Sequence, residues 1–252
     1  MANGSRIEWT EATWNPTTGC TKISAGCKNC YASTLSKRLK AMGIKKYKNQ
    51  FEFTEHPKDL ELPLQWKKPK KIFVNSMSDL FHEKSTMEFI RRCFSTMMEA
   101  NWHTYQVLTK RPKRMAEFSQ MFYNYFGQQI PDHMWMGTSV EDSNNVWRIN
   151  ELKKVKCNVR FISFEPLIDS VGKVDLDGID WAIIGGESGH GFRPVKKEWI
   201  MEIIKQCKKQ KVQIFFKQWG GIRPKSGGRL INGKIYDEYP KIIKTITPLY
   251  AR

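Results

Sequence analysis

The chain has no apolar run approaching the roughly 18 residues that a membrane span requires. It opens on Met1-Ala2-Asn3-Gly4-Ser5-Arg6 and passes straight into charged and aromatic residues, without the apolar core of a secretory leader. No membrane association and a cytoplasmic location are therefore expected, where thiols stay reduced and are available to metal rather than to disulfides. There is no internal repeat and no low-complexity tract, which argues against solenoid and linker-like classes. Acidic residues are scarce, 25 Asp+Glu against 42 Lys+Arg, for a net charge of +17. That imbalance favours a polyanionic partner, nucleic acid or a nucleotide first. The plainer explanation is a lysine-rich surface that only aids solubility.

What is present fits a globular protein. Hydrophobic residues make up 40% and aromatics 12% of 252 residues, which excludes disorder. A chain of this length can form one large domain, although length alone also permits two, and buries roughly 70–75% of its unfolded surface. Six short segments are rich in β-formers: Lys71–Asn75, Tyr105–Thr109, Met134–Thr138, Val159–Phe164, Trp181–Gly185 and Val212–Lys217. Most are continuous apolar runs, as in strands buried on both faces of a parallel sheet. Amphipathic stretches alternate with them: Ser85–Ala100 behind a Ser-Thr-Met-Glu capping box, Lys113–Phe126, Ser143–Val155 and Lys196–Lys209. The reading is an α/β fold, a partial (β/α) barrel of about six parallel strands over residues 1–219. Arg6–Trp9 is a candidate seventh strand, and Ala32–Met42 a helix. Lys45–Lys70 is irregular and basic. Residues 220–252 are a glycine-rich loop and tail packed on the same domain, with Asn232-Gly233 as a hairpin turn.

Cysteine carries the sharpest signal. Cys20, Cys27 and Cys30 have the spacing C-x6-C-x2-C, and no fourth cysteine lies nearby. Cys93 and Cys207 sit on the apolar stripes of helices, as buried core thiols do, and Cys157 has no ligand spacing. Three readings of the triad stand side by side. A [4Fe–4S] cluster on three thiolates leaves one iron free for a small molecule. Zinc would need a fourth ligand, with His56, His82 or His103 as candidates. The third is three unligated thiols in a loop.

Ligands in parallel α/β folds sit at the carboxyl ends of the strands. The residues following the six strands are polar: Asn75, Ser76, Ser78 and Asp79; Lys110 and Arg111; Ser139, Glu141 and Asp142; Glu165; Gly185-Gly186-Glu187; and Lys217-Gln218. The basic runs Lys45-Lys46-Tyr47-Lys48, Lys67-Lys68-Pro69-Lys70-Lys71 and Lys110-Arg111-Pro112-Lys113-Arg114 mix cations with Tyr47 and Trp66. Such mixtures contact phosphates and stack bases, although solvated lysine faces are commoner.

A cysteine triad ahead of a run of βα units resembles the radical S-adenosylmethionine (SAM) superfamily, whose usual spacing is C-x3-C-x2-C; the first arm here is longer. More specifically, WNPTTGCTKISAGCKNCYA, KKPKKIFVNSMSDLFHE, YQVLTKRPKRM, RFISFEPLI, WAIIGGESG, FFKQWG and INGKIYDEYP make the chain similar to a phage-associated family of three-cysteine-motif proteins. The resemblance implies a radical-SAM-like barrel. Cys20, Cys27 and Cys30 would ligate three irons, and SAM would chelate the fourth. One electron from an external donor would then cleave SAM to methionine and a 5′-deoxyadenosyl radical. It further implies SAM contacts from Asn75, Ser76, Ser78 and Asp79, with Lys110 or Arg111 near the SAM carboxylate. Ser139, Glu141 and Glu165 would meet ribose or substrate. Superfamily members that act on nucleic acids make modification or repair of nucleic acid or a nucleotide the leading expectation. A zinc-containing nucleic-acid-binding protein and a radical SAM enzyme acting on a peptide or protein are the rivals.

Overall fold

Seven parallel strands form one sheet in the computed structural model, which describes residues 4–5, 7–223 and 225–241. In chain order the elements are β1 (Ala12–Trp14), β2 (Thr17–Thr18), α1 (Tyr31–Ala41), β3 (Thr54–Glu55), β4 (Lys71–Val74), α2 (Met87–Glu99), β5 (Thr104–Thr109), α3 (Pro112–Phe126), β6 (Met134–Ser139), α4 (Trp147–Lys153), β7 (Arg160–Phe164), β8 (Trp181–Gly185), α5 (Lys197–Lys209) and β9 (Gln213–Gln218). The sheet runs β1-β4-β5-β6-β7-β8-β9 and curls into a half-barrel. The strands β2 and β3 pair antiparallel in a separate ribbon. Among the described residues, no helix is long and apolar enough to cross a membrane.

Alternation along the strands divides the core in two. Ile72 and Val74, Tyr105 and Val107, Met134 and Met136, and Ala182 and Ile184 face the helices, whose apolar stripes (Phe89, Ile90 and Phe94; Met115 and Phe118; Ile149 and Leu152; Ile200 and Ile203) complete the larger cluster. The opposite face carries a second cluster of Trp9, Phe73, Trp135, Val159, Phe161, Trp181, Ile183 and Phe215. Its rings meet edge-on or tilted, Trp181 lying 5.6 Å from both Trp135 and Phe161 and 6.1 Å from Trp9. Most of these residues come from the first half of their strands, so they form a floor at the amino end of the curled sheet. Gly137 fits above Phe161 because a Cβ there would come within 2.5 Å of the ring.

The seventh strand is Ala12–Trp14, not Arg6–Trp9. Arg6 lies outside the described residues, and Trp9 is turned into the floor, 4.6 Å from Phe73. The segment 45–70 contains the short strand β3 and single helical turns. The described part of the tail places Tyr236 in the main core, where the Phe216 N–H bonds the Tyr236 carbonyl at 2.9 Å, beside β9. Asn232 and Gly233, with φ of 48° and 76°, make the turn between the bridged residues Ile231 and Lys234. Residues 242–252 of the expected tail are outside the described residues.

Candidate functional site at the carboxyl ends of the strands

The cysteine-bearing loop lies across the carboxyl ends of the strands and is fastened to four of them. After β4, Ser78 Oγ donates to the Gly19 carbonyl at 2.6 Å. After β5, Arg111 Nη2 donates to Thr21 Oγ1 at 2.9 Å, and Nη1 lies 3.6 Å from Cys20 Sγ. After β6, Glu141 Oε1 accepts from Ser24 Oγ at 2.9 Å. After β8, Glu187 Oε2 accepts from Asn29 Nδ2 at 2.9 Å, and Arg193 Nη1 reaches the Ala25 carbonyl at 2.9 Å. The approach is close. At Gly26 a Cβ would lie 2.5 Å from Glu141 Cγ, so only glycine lets this loop seat on β6.

The anchors are themselves held by buried charge. Asp79 accepts from Thr109 Oγ1 at 2.6 Å, from the Phe81 and Lys110 N–H groups, and from Arg111 Nη1 at 3.0 Å. Arg111 also donates through Nε to Glu83 at 2.6 Å. Burial works against its charge, but Glu83 and Asp79 outweigh burial and hold the guanidinium above its ordinary range. Glu141 is fully buried between Lys110 and Arg148, the latter at 2.8 Å. Burial alone would raise its carboxyl; the two cations reverse that and keep it ionised. Glu187 pairs with Arg193 at 2.5 Å.

Each residue expected at the site has a definite place. Asn75 takes a left-handed conformation, φ 63°, and accepts the Thr17 N–H; it shapes the turn after β4. Ser76 donates to Asn15, and its carbonyl accepts from the Tyr31 hydroxyl. Ser78, Asp79, Arg111 and Glu141 hold the loop or each other. Ser139 is buried, and its carbonyl accepts from Arg148. Glu165 pairs with Lys217. Lys110, Glu165 and Lys217 keep side-chain exposures of 21%, 18% and 18%, so these polar groups of the rim reach solvent. Thr21, Ser24, Asn29, Arg148 and Arg193 complete the assembly, and sequence reasoning missed all five. Isolated Ser, Thr and Asn residues carry no pattern; the one available signal is that Ser24 and Asn29 lie inside the cysteine loop itself.

Among the described residues, no group of three His, Cys, Asp or Glu side chains is arranged to hold a metal ion. Cys20 Sγ donates to the Thr21 carbonyl at 3.4 Å, and burial, reinforced by Asp79, pushes its thiol up to about 12. Burial also raises Cys27, but its bonds from the backbone and Ser24, together with the Lys110 charge, outweigh it and lower that thiol. In chemistry the donor set fits an iron–sulfur cluster: three thiols on one loop, with the Lys110 ammonium helping to lower Cys27, and the Arg111 guanidinium opposing but not overcoming the burial of Cys20. The candidate fourth zinc ligands each have hydrogen-bond partners, and one of those of His82 is in the cysteine loop, Thr21 Oγ1 at 3.0 Å. His103 accepts the Lys70 N–H at Nδ1 and meets the Pro63 carbonyl at Nε2; His82 accepts the Lys84 N–H and meets Thr21; His56 meets Thr18.

The basic runs are differently placed from one another. Lys67–Lys71 leads into β4 and so lies at the amino end of the sheet, opposite the cysteines. Trp66 there is half-buried, packs on the main core, stands edge-on to His103 and has Lys70 Nζ 5.5 Å from its ring centroid. In the run at 110–114, Arg111 is buried and Arg114 binds the carbonyls of His82 and Ser85.

A family model described as a protein of unknown function, DUF5131, matches residues 4–240, and the chain belongs to that family. No curated protein and no solved structure matches the chain.

Proposed function

We propose that this member of the DUF5131 family is a radical SAM enzyme acting on nucleic acid or a nucleotide. The observation that supports it is the position of the cysteine loop. Three thiols, with no fourth cysteine in their loop, lie over the carboxyl ends of a parallel half-barrel, where α/β sheets bind ligands. Cys20, Cys27 and Cys30 would hold a [4Fe–4S] cluster, with one iron left for a small molecule. Bound together, cluster and SAM supply one-electron cleavage of a sulfonium bond, given an external electron donor.

The chain's own residues do the rest. Lys110 acts on Cys27 and favours its thiolate, while Arg111 sets its charge beside Cys20, against the burial that holds that thiol up. Asp79 and Glu141 pair with these two cations and so orient the loop. Lys110, Glu165 and Lys217 are rim groups with solvent access, and they are assigned to the cofactor's carboxylate, its hydroxyls or the substrate.

Anaerobic purification followed by iron and sulfide analysis, then incubation of reduced protein with SAM, tests the reading. About four irons and four sulfides per chain, with release of 5′-deoxyadenosine, are expected. Stoichiometric zinc without sulfide, or cluster-loaded protein that neither binds nor cleaves SAM, overturns it.

A further inference from the structure

Residues 12–51 contain no Asp or Glu and eight Lys or Arg, Lys22, Lys28, Lys37, Arg38, Lys40, Lys45, Lys46 and Lys48, and so carry eight of the chain's seventeen net positive charges. This stretch holds the cysteine loop, α1 and the helical turn Lys45–Tyr47. Only Lys46 among the eight is in an ion pair, with Asp59; the other seven are exposed, and none has an ion-pair partner among the described residues. Around the ends of the strands, by contrast, Lys110, Arg111, Arg148, Arg193 and Lys217 all pair with carboxylates.

The same surface exposes apolar side chains. Tyr31 is 54% exposed although its hydroxyl is tied to the Ser76 carbonyl; Leu35 is 39%, Met42 70% and Ile23 43% exposed. Tyr31, Leu35, Arg38 and Met42 follow at i, i+4, i+7 and i+11, which is one stripe of a helix. The inner face of α1 is Ala32, Ser36 and Leu39, and it packs on Tyr47 and Met77. Cys30 caps α1, so the stripe begins at the cysteine loop and runs outward for about 16 Å.

We propose that this outer face of α1, with the turn that follows it, is a platform for single-stranded nucleic acid leading to the cysteine loop. The proposal rests on the nucleic-acid reading above and moves the contact from the amino end of the sheet to the mouth. Unpaired cations meet phosphates. Exposed apolar and aromatic groups meet base faces, which an unpaired strand offers and a duplex hides. An acidic protein would satisfy the cations and have no need of Tyr31.

Anisotropy of a labelled oligonucleotide of about twenty residues, titrated with the full chain at several salt concentrations, tests this. Lys37→Ala/Arg38→Ala/Lys40→Ala keeps good helix formers on an exposed face. It should weaken binding at least about tenfold at low salt and reduce the slope of log K against log salt by about 2, as loss of three phosphate contacts to a single strand requires. Lys45→Ala/Lys48→Ala should act in the same direction without touching the helix. Tyr31→Leu should weaken binding at an unchanged slope. Lys67→Ala/Lys68→Ala, at the opposite end, should bind as the parent does. The platform is overturned if the first two variants bind like the parent, if the opposite-end variant loses binding, if duplex of the same sequence binds as tightly, or if polyglutamate of matched charge displaces the strand equally well. Iron and sulfide are measured on the same samples. A chain that binds the strand on this face but assembles no cluster keeps the platform and loses the radical reading. A chain that assembles the cluster and cleaves SAM but binds no strand does the reverse.

Discussion

Ser24 Oγ donates to Glu141 Oε1 across 2.9 Å, joining the cysteine loop to the end of β6 at a carboxylate with no solvent exposure. The same carboxylate answers Lys110 and Arg148. It therefore couples the seating of the loop to the charge balance beneath it.

Glu141→Ala should accordingly cost roughly 3–5 kcal/mol, because it leaves the Arg148 guanidinium, 2% exposed, buried without its counter-charge. Urea unfolding measures this. Adding Arg148→Met should recover part of the loss, since removing both charges is cheaper than stranding one. A single variant within about 0.5 kcal/mol of the parent would show that the pair does not anchor the sheet end.

Gly26→Ala separates seating from stability. The new Cβ has to displace either the loop or Glu141, from which it would lie 2.5 Å at Cγ. Metal incorporation on reconstitution should fall severalfold, with the denaturation midpoint shifted by less than Glu141→Ala shifts it. Normal iron and sulfide content in Gly26→Ala protein would show that the loop does not need this approach.

The six cysteines should divide by place. Cys20→Ala, Cys27→Ala and Cys30→Ala should each lose the iron–sulfur absorbance while remaining folded. Cys93, Cys157 and Cys207 are buried in the main core, so their alanine variants should keep the absorbance and lose about 1 kcal/mol of stability to the smaller side chain. Absorbance lost in one of these three would redraw the ligand set.

His103 gives the fold an acid limit. Burial, joined by the Lys70 charge, outweighs the Pro63 carbonyl and lowers its pKa below 6.5. Its Nδ1 accepts the Lys70 N–H, so protonation there also breaks a bond. A lowered folded pKa means that the native state binds fewer protons than the unfolded one. The stability this confers is complete above about pH 6.5 and is lost as pH falls through the unfolded and then the folded value. Denaturation midpoints measured from pH 7.5 down to 5 should decline, and His103→Gln should decline less steeply. Equal slopes would assign the acid limit to other groups.

Strand positions were legible in the sequence wherever a continuous apolar run met polar residues at its end, because burial on both faces leaves that imprint. The runs at 105–109, 134–138 and 181–185 lie within the strands β5, β6 and β8. Shorter elements leave too little pattern: Thr17–Thr18 and Thr54–Glu55 carry two residues each. Trp9 has the look of a strand residue but serves as a floor ring. The capping signature at Ser85 was displaced by one residue: Thr86 caps α2 by accepting the Phe89 N–H, and Glu88 pairs with Arg91. At the rim the residue types were legible and their partners were not. Asp79 and Glu141 had the composition of ligands, and only the spatial arrangement shows them facing cations from other strands. That tertiary pairing leaves no local trace.

The aromatic floor and the fastened loop occupy opposite ends of the same strands and draw on different residues. Trp135, Phe161, Trp181 and Phe215 lend rigidity from below, while the loop hangs from a handful of polar contacts above. Such a division makes the molecule unusually permissive to remodelling. Randomised libraries confined to Lys22, Ile23, Lys28 and residues 188–192, leaving the cysteines, Gly26 and the anchoring side chains in place, could search new specificities without drawing down the reserve that keeps the barrel folded, whereas libraries touching the floor would select for little besides survival.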